Sequence, residues 1–307
     1  MIEHNVLVSV IIPNYNHGSY LADRIESVLS QTYQKMEVII LDDCSTDNSR
    51  AVIEQYRSES RIAEIIYNEI NTGSPFKQWV KGIEKARGEI IWLAESDDWC
   101  EPTFLEHVLP SMLADPEVAV SYCQSYCVID NDIKWQSNHN QLIETVDGDK
   151  YIAEYLTPNP AIFNASMAIW RKRNFALIAK DFLNYSFSGD WLFWIELAKT
   201  GKVSINGRLL NYFRKHGNDV STGSYQTGLN FVEGMSILQH CADNKLIDER
   251  KFKLSVKKNI KEYWPIKSQF ARERQLEIER LFQTAPSSKS FFLKCVSSAV
   301  WKSFKSK

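Results

Sequence analysis

Residues 88–98 read Gly88-Glu89-Ile90-Ile91-Trp92-Leu93-Ala94-Glu95-Ser96-Asp97-Asp98. The uncharged run 90–94 has the length and composition of a strand buried on both faces, and it ends on three carboxylates within four positions. The same unit appears three times upstream. Residues 7–12 end at Pro13 before the helical spacing of Leu21, Ile25, Val28 and Leu29, and residues 36–41 lead through the polar loop 42–47 to Val52, Ile53 and Tyr56. A third pass has strand 63–67, loop 68–74 and helix 75–87, and Pro102 opens a helix after the acidic loop. Strands alternating with helices predict a Rossmann-like, mostly parallel sheet flanked by helices. In such sheets ligands sit beyond the carboxyl ends of the strands. The polar loops 13–16, 42–47, 68–73 and 95–98 all leave those ends.

From residue 117 the alternation weakens. Strand-like segments are expected at 117–122 and 126–129, a polar loop at 130–148, apolar stretches at 161–170 and 209–213, and a helix at 190–199 stopped by Gly201. Beyond 225 the pattern is helical and basic. The division expected is 1–224 as one domain, with a donor-side half 1–115 that carries the polar loops and a second half 116–224, followed by the C-terminal helical extension 225–307.

The composition excludes several classes. At 307 residues and 44% hydrophobic the chain can bury a sizeable core. Its formal charge of −2 conceals an asymmetry: residues 245–307 hold 16 Lys and Arg against 6 Asp and Glu, leaving 20 against 32 before them. An acidic body argues against nucleic-acid binding, and a basic, aromatic tail points to an anionic surface or partner. Six cysteines without a CxxC pair indicate neither a zinc knuckle nor a disulfide framework. No apolar run is long enough to span a membrane and the start lacks a secretory pattern, so a cytoplasmic protein is expected.

Glu95, Asp97 and Asp98 would repel one another unless a hard divalent cation, Mn²⁺ or Mg²⁺, shared their oxygens. Such an ion could neutralise a departing diphosphate. Asp42 and Asp43 can accept hydrogen bonds from a nucleobase or from ribose hydroxyls. Asp47 reads as a helix cap or turn residue.

Residues 8–16, 37–47 and 88–98, in this order and spacing, resemble the signature blocks of glycosyltransferase family 2. The resemblance is strong over 7–115 and moderate over 160–221. It implies a GT-A fold, a nucleotide-diphosphate sugar donor with UDP the commonest, a divalent metal, and hexosyl or N-acetylhexosaminyl transfer with inversion. Pro13, Tyr15, Asn16, Asp42, Asp43, Asn71, Gly73, Glu95 and Ser96 match the nucleotide-binding positions, and Asp97 the metal acid. Two positions depart from the pattern: Glu95 opens the acidic motif in place of Asp and could bind ribose or a metal-bound water, and Cys44 replaces the Gly after the Asp pair.

Inversion needs a carboxylate opposite the leaving group to take the acceptor's proton. Asp190, in Ser188-Gly189-Asp190-Trp191, matches the second of the family's acidic pair, Gly189 replacing the first; base and helix N-cap are compatible roles. Tyr212-Phe213-Arg214-Lys215-His216 resembles the closing segment near the diphosphate. His216 is either a third metal ligand or a surface hydrogen-bonding residue, and Arg214 could pair with phosphate. At least one of Trp191 and Trp194 should face the core. In the tail, Phe292, Val296, Ala299 and Val300 lie near one helical face amid lysines, which suits a membrane interface or folding back on the catalytic domain. The implied function is sugar transfer to a saccharide or lipid-linked saccharide in bacterial cell-surface polysaccharide assembly, by a peripheral enzyme at the inner membrane face. A nucleotidyltransferase would want a Gly-rich loop bearing Lys or Arg after the first strand, and 13–19 has neither cation. A non-catalytic nucleotide-sugar-binding module is the other alternative.

Overall fold

The computed structural model describes residues 6–157, 160–216, 220–284 and 286–305. Its first half runs β1 (Val8–Asn14), α1 (Gly18–Leu29), β2 (Met36–Asp42), α2 (Ser49–Gln55), β3 (Ile62–Tyr67), α3 (Pro75–Lys85) and β4 (Ile90–Leu93). Every residue of β1, β2 and β4 is buried, as strands covered on both faces must be. β1 pairs in parallel with β2 and β4, and β2 with β3. The order β3-β2-β1-β4 reverses direction between β1 and β4. In open α/β sheets such a reversal is where ligands bind, which here falls beyond Asn14 and Leu93.

α3 shows how tightly the flanking layer sits. Pro75 occupies its first turn, and Phe76, Trp79 and Ile83 form its buried face. At Gly82 a Cβ would lie 2.4 Å from Ile11 Cγ2 on β1, so only glycine permits this approach.

The sheet continues through β5 (Trp99–Cys100), α4 (Phe104–Ala114), β6 (Val118–Ile129), β7 (Asp132–Gln136), β8 (Ile143–Asp147), α5 (Gly148–Tyr151), β9 (Ala168–Arg171), α6 (Gly189–Ala198) and β10 (Lys202–Lys215). β9 inserts antiparallel between β4 and β6, while β10 runs parallel to β6, so this half is mixed. Two expectations are corrected here. The segments 117–122 and 126–129 are one strand, because Gln124 and Ser125 keep their pairing with Leu209 and Asn211 on β10. The polar loop 130–148 contains β7 and β8, paired with β6 and β10; all five residues of β7 are exposed, Ile133 and Trp135 included, so no buried face marks it. The expected 190–199 helix is α6, in which Trp194 is buried and Trp191 donates from Nε1 to the Leu156 carbonyl.

The chain forms two compact units. One, drawn from Met1–Gly148, Ile162–Leu183 and Phe193–His216, contains the sheet; the other, drawn from Asp149–Ala161, Asn184–Leu192 and Gly217–Lys307, is helical. The helical unit comprises α7 (Val220–Thr227), α8 (Leu229–Asp243), α9 (Glu249–Tyr263), α10 (Arg272–Leu281) and α11 (Lys289–Lys305). Its core gathers Phe231, Phe252, Tyr263 and Phe282, with Tyr263 edge-on to Phe231 and Phe282. The start of α11 buries Phe292 and Cys295, and Phe292 stacks on Phe282. The side chains of Ala299 and Val300 lie outside the described residues. Among the described residues no helix is long and apolar enough to cross a membrane.

Candidate active site

Three loops meet where β1, β2 and β3 end. Asn14 donates from Nδ2 to Asp42 Oδ1 at 2.7 Å, and Asp42 Oδ2 accepts from the Ser45 amide at 3.0 Å. Asp43 accepts from Asn68, Gln78 and both the amide and hydroxyl of Thr72. Asn71 donates to the Asp43 carbonyl and accepts from the Gly73 amide; Gly73 has φ +68°, the left-handed conformation that suits glycine. Asn16 and Cys44 are also left-handed, at φ 56° and 63°. Asn16 is held there by accepting from the Thr46 amide and donating its own amide to Ser45. Cys44 keeps the glycine-type turn despite its side chain. Tyr15 stands half exposed at the rim beyond Pro13. Asp47 accepts from the Gly18 and Ser49 amides, tying together the starts of α1 and α2, the capping role expected of it.

The acidic motif after β4 sends its members in different directions. Asp98 turns inward and accepts from Asn164, Ser166 and the Arg214 amide, with the buried Arg24 guanidinium 3.9 Å away. Glu95 accepts from Trp79 Nε1 at 2.8 Å, and its carbonyl accepts from Arg24. Asp97 faces His216, with Oδ2 and Nε2 3.2 Å apart. Ser96 Oγ meets His17 Nδ1 at 2.8 Å.

His17, Asp97 and His216 thereby each present one ligand atom, all within 4.8 Å of one another. Beside them Tyr20 stacks on the His216 ring, and Arg214 is sandwiched between Tyr20 and Trp99, each ring centroid 4.5 Å from the guanidinium carbon. One Arg214 nitrogen pairs with Asp23 at 2.9 Å, and the buried Nη1 has no hydrogen-bond partner among the described residues. A buried guanidinium donor without an acceptor suits an anionic ligand.

Burial dominates the site's electrostatics. It pushes Glu95 up to about 8, with the charge of Asp97 adding to the effect, and Asp98 up to about 7 for the same two reasons, against the pull of Arg24. Asp97 goes the other way: burial raises it, but the His216 hydrogen bond and the two imidazoles outweigh that and hold it low. Burial lowers His17, preserving the neutral ring whose lone pair can bind a metal.

Of the residues anticipated from sequence, Asp97 and His216 are thus brought into contact, and Asp42, Asp43, Asn16, Asn71 and Gly73 into one loop cluster. Asp190 lies in the helical unit, in the first turn of α6, where its Oδ1 accepts from the Trp191 amide. Burial pushes its carboxyl up to about 7, helped by the charge of Glu233. His17, Arg24, Asn164 and Ser166 were not anticipated. His17 carried a usable signal, since it follows Asn16 on the loop leaving β1; the others join the site through contacts 66 to 74 residues apart in sequence.

Residues 9–177 match glycosyl transferase family 2, more than half of the chain, and the chain belongs to that family. It is 29% identical over 231 residues to the glycosyltransferase GlyG of Streptococcus pneumoniae serotype 4, covering 70% of this chain and 73% of GlyG. It is 34% identical over 93 residues to the poly(ribitol-phosphate) β-N-acetylglucosaminyltransferase TarS of Staphylococcus aureus, covering 30% of this chain and 16% of TarS. Two further relatives are matched over 42% and 35% of their length. In three dimensions it resembles S. aureus TarS 1–349 in complex with UDP-GlcNAc, with a TM-score of 0.65, 19% identity, and coverage of 94% of this chain and 81% of that one. The mannosyltransferase PcManGT of Pyrobaculum calidifontis, in complex with GDP-Man and Mn²⁺, gives 0.54 at 12% identity, covering 98% and 88%. These likenesses show the GT-A fold, and family membership favours a glycosyltransferase over a nucleotidyltransferase or a binding module.

Proposed function

We propose that the chain transfers a sugar from a UDP-linked donor to a saccharide hydroxyl with inversion, using a divalent cation held by His17, Asp97 and His216. The observation that carries this is the convergence of one carboxylate and two imidazoles beside the unpaired Arg214 donor. The donor set fits a cation: imidazole suits Mn²⁺ better than Mg²⁺, while the carboxylate accepts either. A cation there would supply charge neutralisation for the leaving diphosphate. Arg214 would bind a phosphate oxygen, held by Tyr20, Trp99 and Asp23. The loops of Asp42, Asp43, Asn71 and Gly73 would cradle the nucleoside, with Pro13 and Tyr15 at its edge and Glu95 and Ser96 closing the ribose side. Asp190, poised near neutrality by burial, would accept the acceptor hydroxyl's proton as that oxygen bonds to the anomeric carbon and the nucleoside diphosphate departs. The likeness to TarS, a poly(ribitol-phosphate) β-N-acetylglucosaminyltransferase solved with UDP-GlcNAc, supports an N-acetylhexosamine or related hexose donor and a cell-surface polysaccharide acceptor; a lipid-linked acceptor met at the inner membrane face rests on the basic, aromatic tail alone.

Thermal-shift measurements with UDP-GlcNAc, GDP-mannose and a dTDP-sugar, each with and without Mn²⁺, test the reading. A matching pair should raise the melting point by about 2–4 °C at saturation. Asp97→Asn should abolish the Mn²⁺-dependent part. Asp190→Asn should keep the shift but lose about 10²–10⁴-fold in transfer. The metal assignment fails if Mn²⁺ adds nothing to any donor.

A further inference from the structure

We propose that Glu233, on α8 of the C-terminal extension, is the positioning residue for Asp190, fixing the loop from which α6 springs. This rests on Asp190 serving as the base. Glu233 is 8% exposed, and its carboxylate accepts three consecutive backbone amides: Ser186 to Oε1 at 2.8 Å, then Phe187 and Ser188 to Oε2 at 2.9 and 2.6 Å. Ser188 is the hinge of the arrangement. Its amide is held by Glu233 while its carbonyl accepts from the Trp191 and Leu192 amides, opening α6 two residues before Asp190.

A carboxylate offers acceptors only, which is what three converging N–H groups require; an amide side chain would turn a donor against one of them. The same negative charge lies at the amide end of α6, where the helix dipole favours it. Among the described residues Glu233 makes no ion pair, so these amides and that dipole are what stabilise its buried charge. Next to it Gly234 packs against the Trp191 ring, where an added Cβ would make an ordinary van der Waals contact at 3.6 Å, and Trp191 is anchored in turn on the Leu156 carbonyl. The extension thus supplies one wall of the base's seat, all within the helical unit. Its charge also adds to the upward shift at Asp190, so losing it should release that proton more readily.

The test uses the full chain as wild type, Glu233→Gln and Glu233→Asp. Amide hydrogen exchange at 186–188 should quicken at least about ten-fold in Glu233→Gln, part of the protection returning in Glu233→Asp, while strands 8–12 and 90–93 exchange as before. The Asp190 carboxyl, followed by carbon NMR, should titrate at lower pH in Glu233→Gln, a change that mere loosening of a helix would not produce. Unchanged exchange at 186–188, or an unmoved Asp190 midpoint, overturns the proposal. The base assignment is tested apart from this: if Asp190→Asn releases nucleotide from UDP-GlcNAc as fast as wild type, that assignment falls while Glu233's hold on the loop stands or falls on the exchange data.

Discussion

Glu95 carries its proton far above the ordinary 4.5 of a glutamate, to about 8, because burial penalises its charge and Asp97 repels it. Raised in the folded state, it contributes stability that is complete below the unfolded value and is lost as pH rises toward the folded one. The expected result is that the wild-type chain weakens between pH 6 and 9 by about 1–2 kcal/mol more than Glu95→Gln, measured by urea unfolding; parallel pH profiles would refute it. As a carboxylate at the end of a strand, Glu95 was legible in the sequence. Its partner was not, for Trp79 reaches it from a helix 16 residues earlier, and nothing local distinguishes that tryptophan from the core residues Phe76 and Ile83. His17 lies between these cases: its place after Asn16 on the loop leaving β1 was a local signal, but a ligand role for it needs Asp97 and His216 beside it.

Among the elements, α3 does more than cover the sheet, because its Gln78 holds Asp43 and its Trp79 holds Glu95. Gly82 sets its distance from β1. In Gly82→Ala the new methyl would meet Ile11 Cγ2 at 2.4 Å and Leu41 Cδ1 at 3.1 Å, both on buried strands. Overpacking of this kind costs about 1–3 kcal/mol, against a gain of about 1 from alanine's helix propensity. The variant should therefore melt earlier and show a smaller nucleotide-sugar stabilisation than wild type, read from the same thermal-shift curves; a chain as stable as wild type would mean the helix relaxes outward at no cost. Strands β1, β2 and β4 were readable because burial on both faces leaves an unbroken apolar run. β7 and β8 were not: each is five residues long, the alternation of Ile133 and Trp135 in β7 faces solvent and β8 buries Val146 alone, so their order comes from pairing with β6 and β10.

At the scale of the whole molecule, the basic tail faces two physical demands. Lysines around an apolar stripe suit an anionic membrane surface, yet the described start of α11 spends Phe292 and Cys295 on the helical unit's core, with Phe292 against Phe282 and Trp264. Leu293 on the same helix remains half exposed. A segment whose aromatic anchor is already buried acts first as structure. Removing a buried phenylalanine side chain costs about 3–5 kcal/mol where the site cannot collapse. Phe292→Ala should accordingly lower the melting temperature by several degrees in calorimetry, and deletion of 289–307 should lower it further. Both are to be compared in flotation with vesicles containing anionic lipid. A tail serving only as a membrane contact would give the opposite pair of results: melting unchanged in both variants, and flotation lost in the deletion alone.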